Sequence, residues 1–226
     1  MKLIITNAAC THAVESNWLL YKDVASISET YIFATLFTSM KRLFVLLVII
    51  IVSINTINAQ SALPEADKSP MDMSYYPLNY PLLKIQNKTT DPLVARVIYS
   101  RPKKEGRSVF GGLVEYGKLW RLGANEATEL EFYRPVVVGG KKIAKGRYTL
   151  YAVINEKTWT LILNKETDVW GSFIYNQSKD IVRVDVPVQQ LATQVEILAM
   201  TFEKQNAGIN LIIAWENIKV ALPINF

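Results

Sequence analysis

Short runs of β-branched and aromatic residues, separated by turn residues, follow one another through the C-terminal part of this chain. The clearest are residues 93–100 (LVARVIYS), 147–155 (RYTLYAVIN) and 158–164 (TWTLILN), because Val, Ile, Thr and Tyr suit the pleated surface of a strand. The pair Gly139-Gly140 marks a tight turn, and no long helical hydrophobic period is present. The pattern predicts an all-β domain of about eight strands, a single antiparallel β-sandwich or open barrel.

The alternation of residue types also predicts which strand face is buried. In the run at 128–138, Leu130 and Phe132 share one face, and Glu129 and Glu131 share the other. A short helix is expected only at residues 189–194 or at the bend over residues 123–127. The predicted strands are residues 82–86, which are the weakest, 93–100, 128–138, 147–155, 158–164, 180–186, 195–203, 209–215 and 218–224.

An export signal precedes this domain. Met40 is followed by Lys41-Arg42, by an apolar run over residues 43–54 and by the small residue Ala59, which is the layout of a secretory signal peptide. The run of about 12 apolar residues is shorter than the roughly 20 that cross a bilayer. Residues 40–59 are therefore interpreted as a cleaved signal peptide, residues 1–39 as an over-long gene prediction, and the protein as periplasmic or extracellular.

This cleavage would remove the single cysteine, Cys10, and the single histidine, His12. The mature chain would then have no thiol or imidazole for nucleophilic catalysis or metal binding, and no cysteine for a lipid anchor. Neither an acidic calcium loop nor a nucleotide-binding glycine motif is present. We therefore predict no metal, no cofactor and no stable membrane anchor after signal cleavage.

The charge of the chain is mild, with 25 Lys and Arg residues against 20 Asp and Glu. Both signs are mixed along the sequence, so no nucleic-acid-binding surface is predicted. Residues 60–81 contain prolines 64, 70, 77 and 81 and no hydrophobic period. They are predicted to form an extended arm or linker before a domain at 82–226.

The stretch at residues 110–132 (FGGLVEYGKLWRLGANEATELEF) is too polar and too rich in glycine to be core filler. A tryptophan offers a flat apolar face for a sugar ring, an arginine offers a fork for carboxylate or phosphate, and Asn and Glu can orient hydroxyl groups. A basic loop at 101–107 is placed to fold over it. The candidate ligand-binding residues are Arg101, Arg107, Tyr116, Trp120, Arg121, Asn125, Glu126 and Thr128.

Two other interpretations of this stretch stay open. It can be a buried polar corner, in which Asn125 satisfies turn backbone groups and Glu126 pairs with an arginine, beside a solvated basic hairpin tip. Alternatively, Glu126 with Glu129 or Glu131 can form an acid and base pair for glycoside cleavage, which needs two nearby carboxyl groups. Glu129 and Glu131 would stand about 7 Å apart on one strand face.

The run from Tyr99 through the W-R-x-G-A-N-E-A-T motif at residues 120–128, and on through residues 140–153, 157–164, 169–173 and 214–224, resembles a bacterial family of unknown function, DUF2911. The resemblance spans residues 84–224. It implies a secreted protein of a Gram-negative bacterium and no established activity. Glu115 stands where proline is common in the family, a change expected to alter only the turn.

Together these observations predict an exported, non-enzymatic module that binds a small polar or carbohydrate-like ligand, or a partner in the cell envelope. A carboxylate-based glycan hydrolase and a purely structural envelope protein are the alternatives.

Overall fold

The computed structural model describes Tyr31, residues 33–51 and residues 63–226. The predicted cleavage site and most of residues 1–39, with Cys10 and His12, lie outside the described residues. The chain divides into two units, Met1–Pro64 and Glu65–Phe226.

In the first unit, helix α1 (Phe33–Ile51) is exposed, apolar and long enough to cross a membrane. A signal sequence near an N-terminus has the same properties, so α1 is consistent with export. The helix begins before Met40 because the residues upstream of that methionine are also largely apolar. The apolar run over residues 43–54 had favoured a signal sequence because it is too short to span a membrane. The 19-residue length of α1 fits either a signal sequence or a membrane anchor, so length does not decide between them.

The second unit is an all-β sandwich of two antiparallel sheets, as predicted. The first sheet has seven strands in the order β1-β2-β4-β7-β8-β9, with β3 also paired to β7, and the second has the order β10-β11-β5-β6. The elements are β1 (Met71–Tyr76), α2 (Tyr80–Ile85), β2 (Ala95–Ser100), β3 (Leu119–Trp120), β4 (Glu129–Phe132), β5 (Val136–Val138), β6 (Lys141–Ile143), β7 (Gly146–Ile154), β8 (Thr158–Asn164), a 3₁₀ turn (Gln177–Lys179), β9 (Asp180–Pro187), β10 (Gln189–Gln205) and β11 (Gly208–Asn225).

One hydrophobic core lies between the sheets and takes side chains from both. Leu130 and Phe132 of β4 are fully buried in it, while Glu129 and Glu131 lie on the other face, which confirms the alternation predicted for this strand. Strand β11 alternates in the same way along most of its length. Because the side chains of a strand point to opposite faces in turn, these two patterns fix the register of both sheets.

Several predicted boundaries were wrong. Tyr80–Ile85 is a helix and not a strand, since Pro81 is suited to a first helical turn and Leu and Lys are good helix formers. Residues 189–194 belong to β10, and the predicted bend has no helix, since residues 122–125 form bends and Glu126 makes a β-bridge with Trp170. The described short helices lie elsewhere, at α2 and at Gln177–Lys179.

Two further differences involve strand continuity. The run at 128–138 divides at Pro135, which has no N–H for a ladder, and the chain passes there from the first sheet to the second. The two predicted C-terminal strands are one, because Glu216, at φ +54°, lies within β11 without ending it. Within the predicted arm, Met71–Tyr76 is extended but is hydrogen-bonded to β2 as an edge strand.

Candidate functional site

Four aromatic side chains form the interior wall of the candidate site. Trp120 stacks on Trp215 with ring centroids 6.1 Å apart and meets Trp159 edge-on at 5.9 Å. Phe110 contacts all three indoles, at 5.1 to 6.3 Å. Trp120 is only 7% exposed, and its indole N–H donates to the carbonyl of Gly123 at 3.2 Å. Trp120 is therefore part of a buried aromatic cluster, and only a small part of its ring is open to a ligand.

The basic loop at residues 101–107 is fixed along the edge of β10. Lys103 makes an antiparallel bridge with Ile197, and the backbone N–H of Lys104 donates to the carbonyl of Glu196 at 2.9 Å. Lys104 Nζ also lies 3.9 Å from Glu216 Oε1, with both side chains largely buried. These contacts bring the loop over the aromatic cluster, because Trp215 donates to the same Glu196 carbonyl at 3.2 Å.

A cavity of about 410 Å³ lies where the two predicted loops converge. Its charged lining consists of the four cations Lys68, Lys103, Arg107 and Arg121 and the carboxylate Glu105. The rest of the lining comprises Ser69, Pro102, Leu113, Val114, Trp120, Gly123, Ala124 and Trp215. The cavity therefore combines an apolar floor with a positively charged rim.

Arg121 is the distinctive group of this cavity. It is half-buried, and its Nε atom is buried without a hydrogen-bond partner. Among the residues that the structure describes, no carboxylate forms an ion pair with it. Burial lowers the pKa of Arg121 from its ordinary value, and no neighbouring group offsets that effect. The described chain therefore provides no counter-charge for this half-buried guanidinium.

The other three basic side chains of the cavity lining are exposed. Arg107 donates to the carbonyls of Lys104 and Lys103 at 2.9 and 2.8 Å, and it lies 3.5 Å from Glu105 in an exposed pair. Exposed pairs of this kind contribute about 0–1 kcal/mol. Lys68 and Lys103 are exposed and make no ion pair within the described residues. The cavity rim therefore carries a net positive charge.

The backbone that presents Arg121 is held by hydrogen bonds. Leu122 is fully buried with φ +56°, a conformation that costs a bulky residue about 1–2 kcal/mol. Its carbonyl accepts from the Thr128 hydroxyl at 2.7 Å, and the Thr128 N–H donates to the Arg121 carbonyl at 3.0 Å. Thr128 is a positioning residue with no exposed surface and cannot contact a ligand directly.

Gly123 allows the same loop to approach β2. A Cβ at this position would lie 2.9 Å from Ser100 Oγ and 3.2 Å from the Ser100 carbonyl oxygen. The Ser100 hydroxyl in turn contacts both the N–H and the carbonyl of Ala124. Any larger residue would push the loop, and Arg121 with it, away from the sheet.

The remaining predicted ligand-binding residues do not line this cavity. Arg101 pairs with Asp72 at 2.9 Å and donates to the Leu198 carbonyl at 3.1 Å, and these contacts link β1 to β10. Tyr116 packs against Gly111. Asn125, at φ +58°, accepts through its carbonyl from the Gly171 N–H.

The three carboxylates proposed for catalysis lie on another surface. Glu126 and Glu129 line a separate, smaller cleft of about 160 Å³. Glu129 pairs with Arg147 at 3.4 Å and accepts from the Asp168 N–H at 3.0 Å. Glu131 pairs with Arg96 at 2.6 Å. Two of the three carboxylates therefore form ion pairs with arginines, whereas Glu126 makes no arginine pair in the described part of the chain.

Sequence reasoning missed Lys68, Leu113 and Trp215 as lining residues. Lys68 lies in a segment without strand or helix signals, and Trp215 lies almost a hundred residues from Trp120 in the chain. The run of cations at 101–107 predicted a basic loop, but Lys103 within that run was not among the candidate ligand-binding residues. Across the described ranges, no cluster of three or more Asp, Glu, His or Cys residues could hold a metal ion.

Comparison with known proteins gives a family and no activity. The family model described as a protein of unknown function, DUF2911, matches residues 81–224, which is more than half of the chain. No curated protein and no solved structure matches it.

Proposed function

We propose that this chain, which belongs to the DUF2911 family, is an exported, non-catalytic binding domain whose ligand is a small polar molecule carrying a carboxylate or phosphate-like oxyanion. The observation that carries the proposal is Arg121, a half-buried guanidinium that lines a cavity and has no counter-ion among the described residues. Export is supported by α1, whose length and composition fit a signal sequence.

The lack of a counter-ion for Arg121 among the described residues carries an energetic cost. A buried charge without a partner is destabilising by several kcal/mol in a dry interior, and less where water reaches it. Arginine carries a planar fork of donors that matches the two oxygens of a carboxylate or phosphate. A bound oxyanion would therefore supply the missing negative charge; because Nε has no exposed surface, the terminal nitrogens of the fork would make the contact.

The size and lining of the cavity favour a small molecule. Ligand sites commonly have volumes of about 300–1,000 Å³ and combine apolar walls with a few polar groups, and the cavity at about 410 Å³ falls in this range. The apolar floor of Trp120, Trp215 and Leu113 would accept the uncharged part of the ligand. Lys103 and Lys68 on the rim would raise the rate of encounter with an anion.

The hydrolase alternative has less support. Two carboxyl groups do share the 160 Å³ cleft, namely Glu126 and Glu129. However, Glu129 already pairs with Arg147 and accepts from the Asp168 N–H, so it is not a free acid or base. The structural alternative accounts for Thr128, Arg101 and the backbone of Asn125, and it leaves the unpaired Arg121 unexplained.

Calorimetric titration of the full chain tests the proposal. The probes are phosphate, citrate and glucuronate, with glucose as the neutral comparison. We expect at least one anionic probe to bind and R121M to weaken that probe about 100-fold, equivalent to about 2.7 kcal/mol, because a charge-assisted bidentate contact is lost.

The matched control is R134M, which removes an arginine that lies over the Phe226 ring and outside the cavity lining. It changes the net charge by the same amount and should leave the affinity unchanged. If R121M and R134M weaken the probe equally, or if glucose binds as well as the anions do, the proposed site is wrong.

A further inference from the structure

The loop between β8 and β9 exposes three large apolar side chains within five residues. Trp170 is 58% exposed, Phe173 84% and Ile174 69%. Single exposed apolar residues are common on soluble proteins, but three large ones within five residues of one loop indicate a surface for interaction. These three residues are called the apolar tip below.

The conformation that presents the apolar tip is built by specific hydrogen bonds. The Gly171 N–H donates to the Asn125 carbonyl at 2.9 Å, and Trp170 makes a backbone bridge with Glu126. At the other end of the loop, the Tyr175 hydroxyl donates to Asp180 Oδ2 at 2.5 Å. The loop is thus fixed at both ends while its apolar side chains point away from the core.

Gly171 has a further role in shaping the apolar tip. It has φ +65°, and a Cβ there would lie 2.8 Å from the Phe173 ring. The glycine therefore allows the phenyl ring to lie close to the backbone of the loop.

The size of the apolar tip indicates what it contacts. Three side chains bury at most a few hundred Å², whereas a stable protein–protein interface needs about 800 Å² on each partner. An amphipathic ring such as indole also suits the interfacial region of a bilayer, where Trp is enriched. The charges at the base of the loop give no preference for anionic lipid. Lys165 and Lys179 are balanced by Glu166 and by the one negative charge that remains where Arg147 pairs with two carboxylates.

We propose that the apolar tip inserts into the interfacial region of a lipid bilayer, including a bilayer of neutral lipids. A membrane is also the surface that a chain carrying α1 meets, whether α1 acts as a signal sequence or as a span. The proposal rests on the exposure and anchoring of this loop and is independent of the ligand proposed for the cavity.

The experiment follows Trp170 itself, because α1 would bind vesicles whatever the apolar tip does. The full chain is mixed with phosphatidylcholine vesicles with and without bromine-labelled acyl chains, and tryptophan emission is recorded. Trp120, Trp159 and Trp215 are buried and therefore shielded from the lipid. Trp18 remains in W170F, so the quenching assigned to Trp170 is the difference between the wild type and W170F, and we expect that difference to be about the share that one of the five tryptophans contributes.

A second variant separates insertion from simple proximity. F173S/I174S keeps Trp170 and removes its apolar neighbours, and it should reduce the quenching several-fold. L82S/I85S, at two exposed apolar positions of α2, is the matched control and should quench like the wild type. Equal quenching in W170F and the wild type overturns the proposal, and so does self-association of the wild-type chain that F173S/I174S abolishes.

Discussion

Arg96 and Arg121 present the same side chain in two different environments. Both are partly buried, and both have an Nε atom without a hydrogen-bond partner. Burial lowers the pKa of Arg96, but the nearby Tyr133 and Glu131 raise that pKa by more, so its net shift is upward. Burial lowers the pKa of Arg121, and nothing described opposes it.

The difference separates a structural arginine from a candidate binding arginine. Glu131 lies 2.6 Å from Arg96 and also accepts from Tyr133 at 2.7 Å, so the charge of Arg96 is compensated within the fold. The charge of Arg121 faces the cavity. Perturbed groups cluster at functional sites because evolution retains their cost only where it has a use, and the predictions below test whether these two arginines differ in that way.

The largest expected effect is on stability. R96M leaves Glu131 without its arginine and should lower the free energy of unfolding by about 2 kcal/mol, or the melting temperature by about 6 °C. R121M removes an uncompensated charge and should leave stability unchanged or slightly higher. Thermal and urea unfolding measure both variants, and a loss for R121M equal to that for R96M would contradict the comparison.

A smaller effect should separate charge from geometry at the cavity. R121K keeps a positive charge but lacks the planar fork, so the anionic probe should bind about tenfold more weakly, equivalent to about 1.4 kcal/mol. R96K is the matched control, because Arg96 does not line the cavity, and its affinity should equal that of the wild type. An R121K affinity equal to the wild-type value would mean that only charge is recognised.

A still smaller effect is expected at the exposed rim. K103Q removes an exposed cation and should weaken the same probe about two- to threefold, or about 0.5 kcal/mol. Because exposed charges are screened by salt, the difference between K103Q and the wild type should disappear near 1 M salt, while the R121M defect remains. Calorimetry at two salt concentrations measures this, and a K103Q defect that survives high salt would place Lys103 in direct contact with the ligand.

A separate effect, confined to alkaline pH, is expected near Arg96. Burial first, and then the hydrogen bond to Glu131, raise the pKa of Tyr133 from 10.0 to about 12. A raised folded-state pKa contributes stability that is complete below pH 10 and is lost as the pH rises through 12. Y133F should therefore make unfolding free energy fall less steeply between pH 10 and 12. Denaturant titrations at several pH values measure this. If the unfolding free energy of Y133F falls with pH as steeply as that of the wild type, the linkage is excluded.

Local patterns predicted most of the fold. The β-branched runs predicted β7, β8 and β9 closely, and Gly139-Gly140 does form the two-residue turn between β5 and β6. Strand β1 could not be predicted because Met71–Tyr76 has no strong strand preference and pairs with an available edge of β2. Helix α2 was missed because short apolar runs suit either structure.

Local patterns predicted the candidate site less completely. They predicted that the loop at 101–107 folds over the stretch at 110–132, and residues of both line one cavity. The partners that decide each side chain's role come from far along the chain. Arg96 pairs with Glu131, Arg101 with Asp72, and Trp120 stacks on Trp215. Which arginine remains without a partner is therefore a property of the tertiary structure.

The stacked indoles of Trp120 and Trp215 give this protein an optical signal of its own. Their planes are 21° apart at 6.1 Å, and both rings border the cavity. Two closely spaced, nearly parallel chromophores couple electronically, so their circular dichroism and emission change when a molecule displaces water beside them. The chain can consequently be titrated with unlabelled compounds, and a search for its natural ligand can begin with a spectrometer.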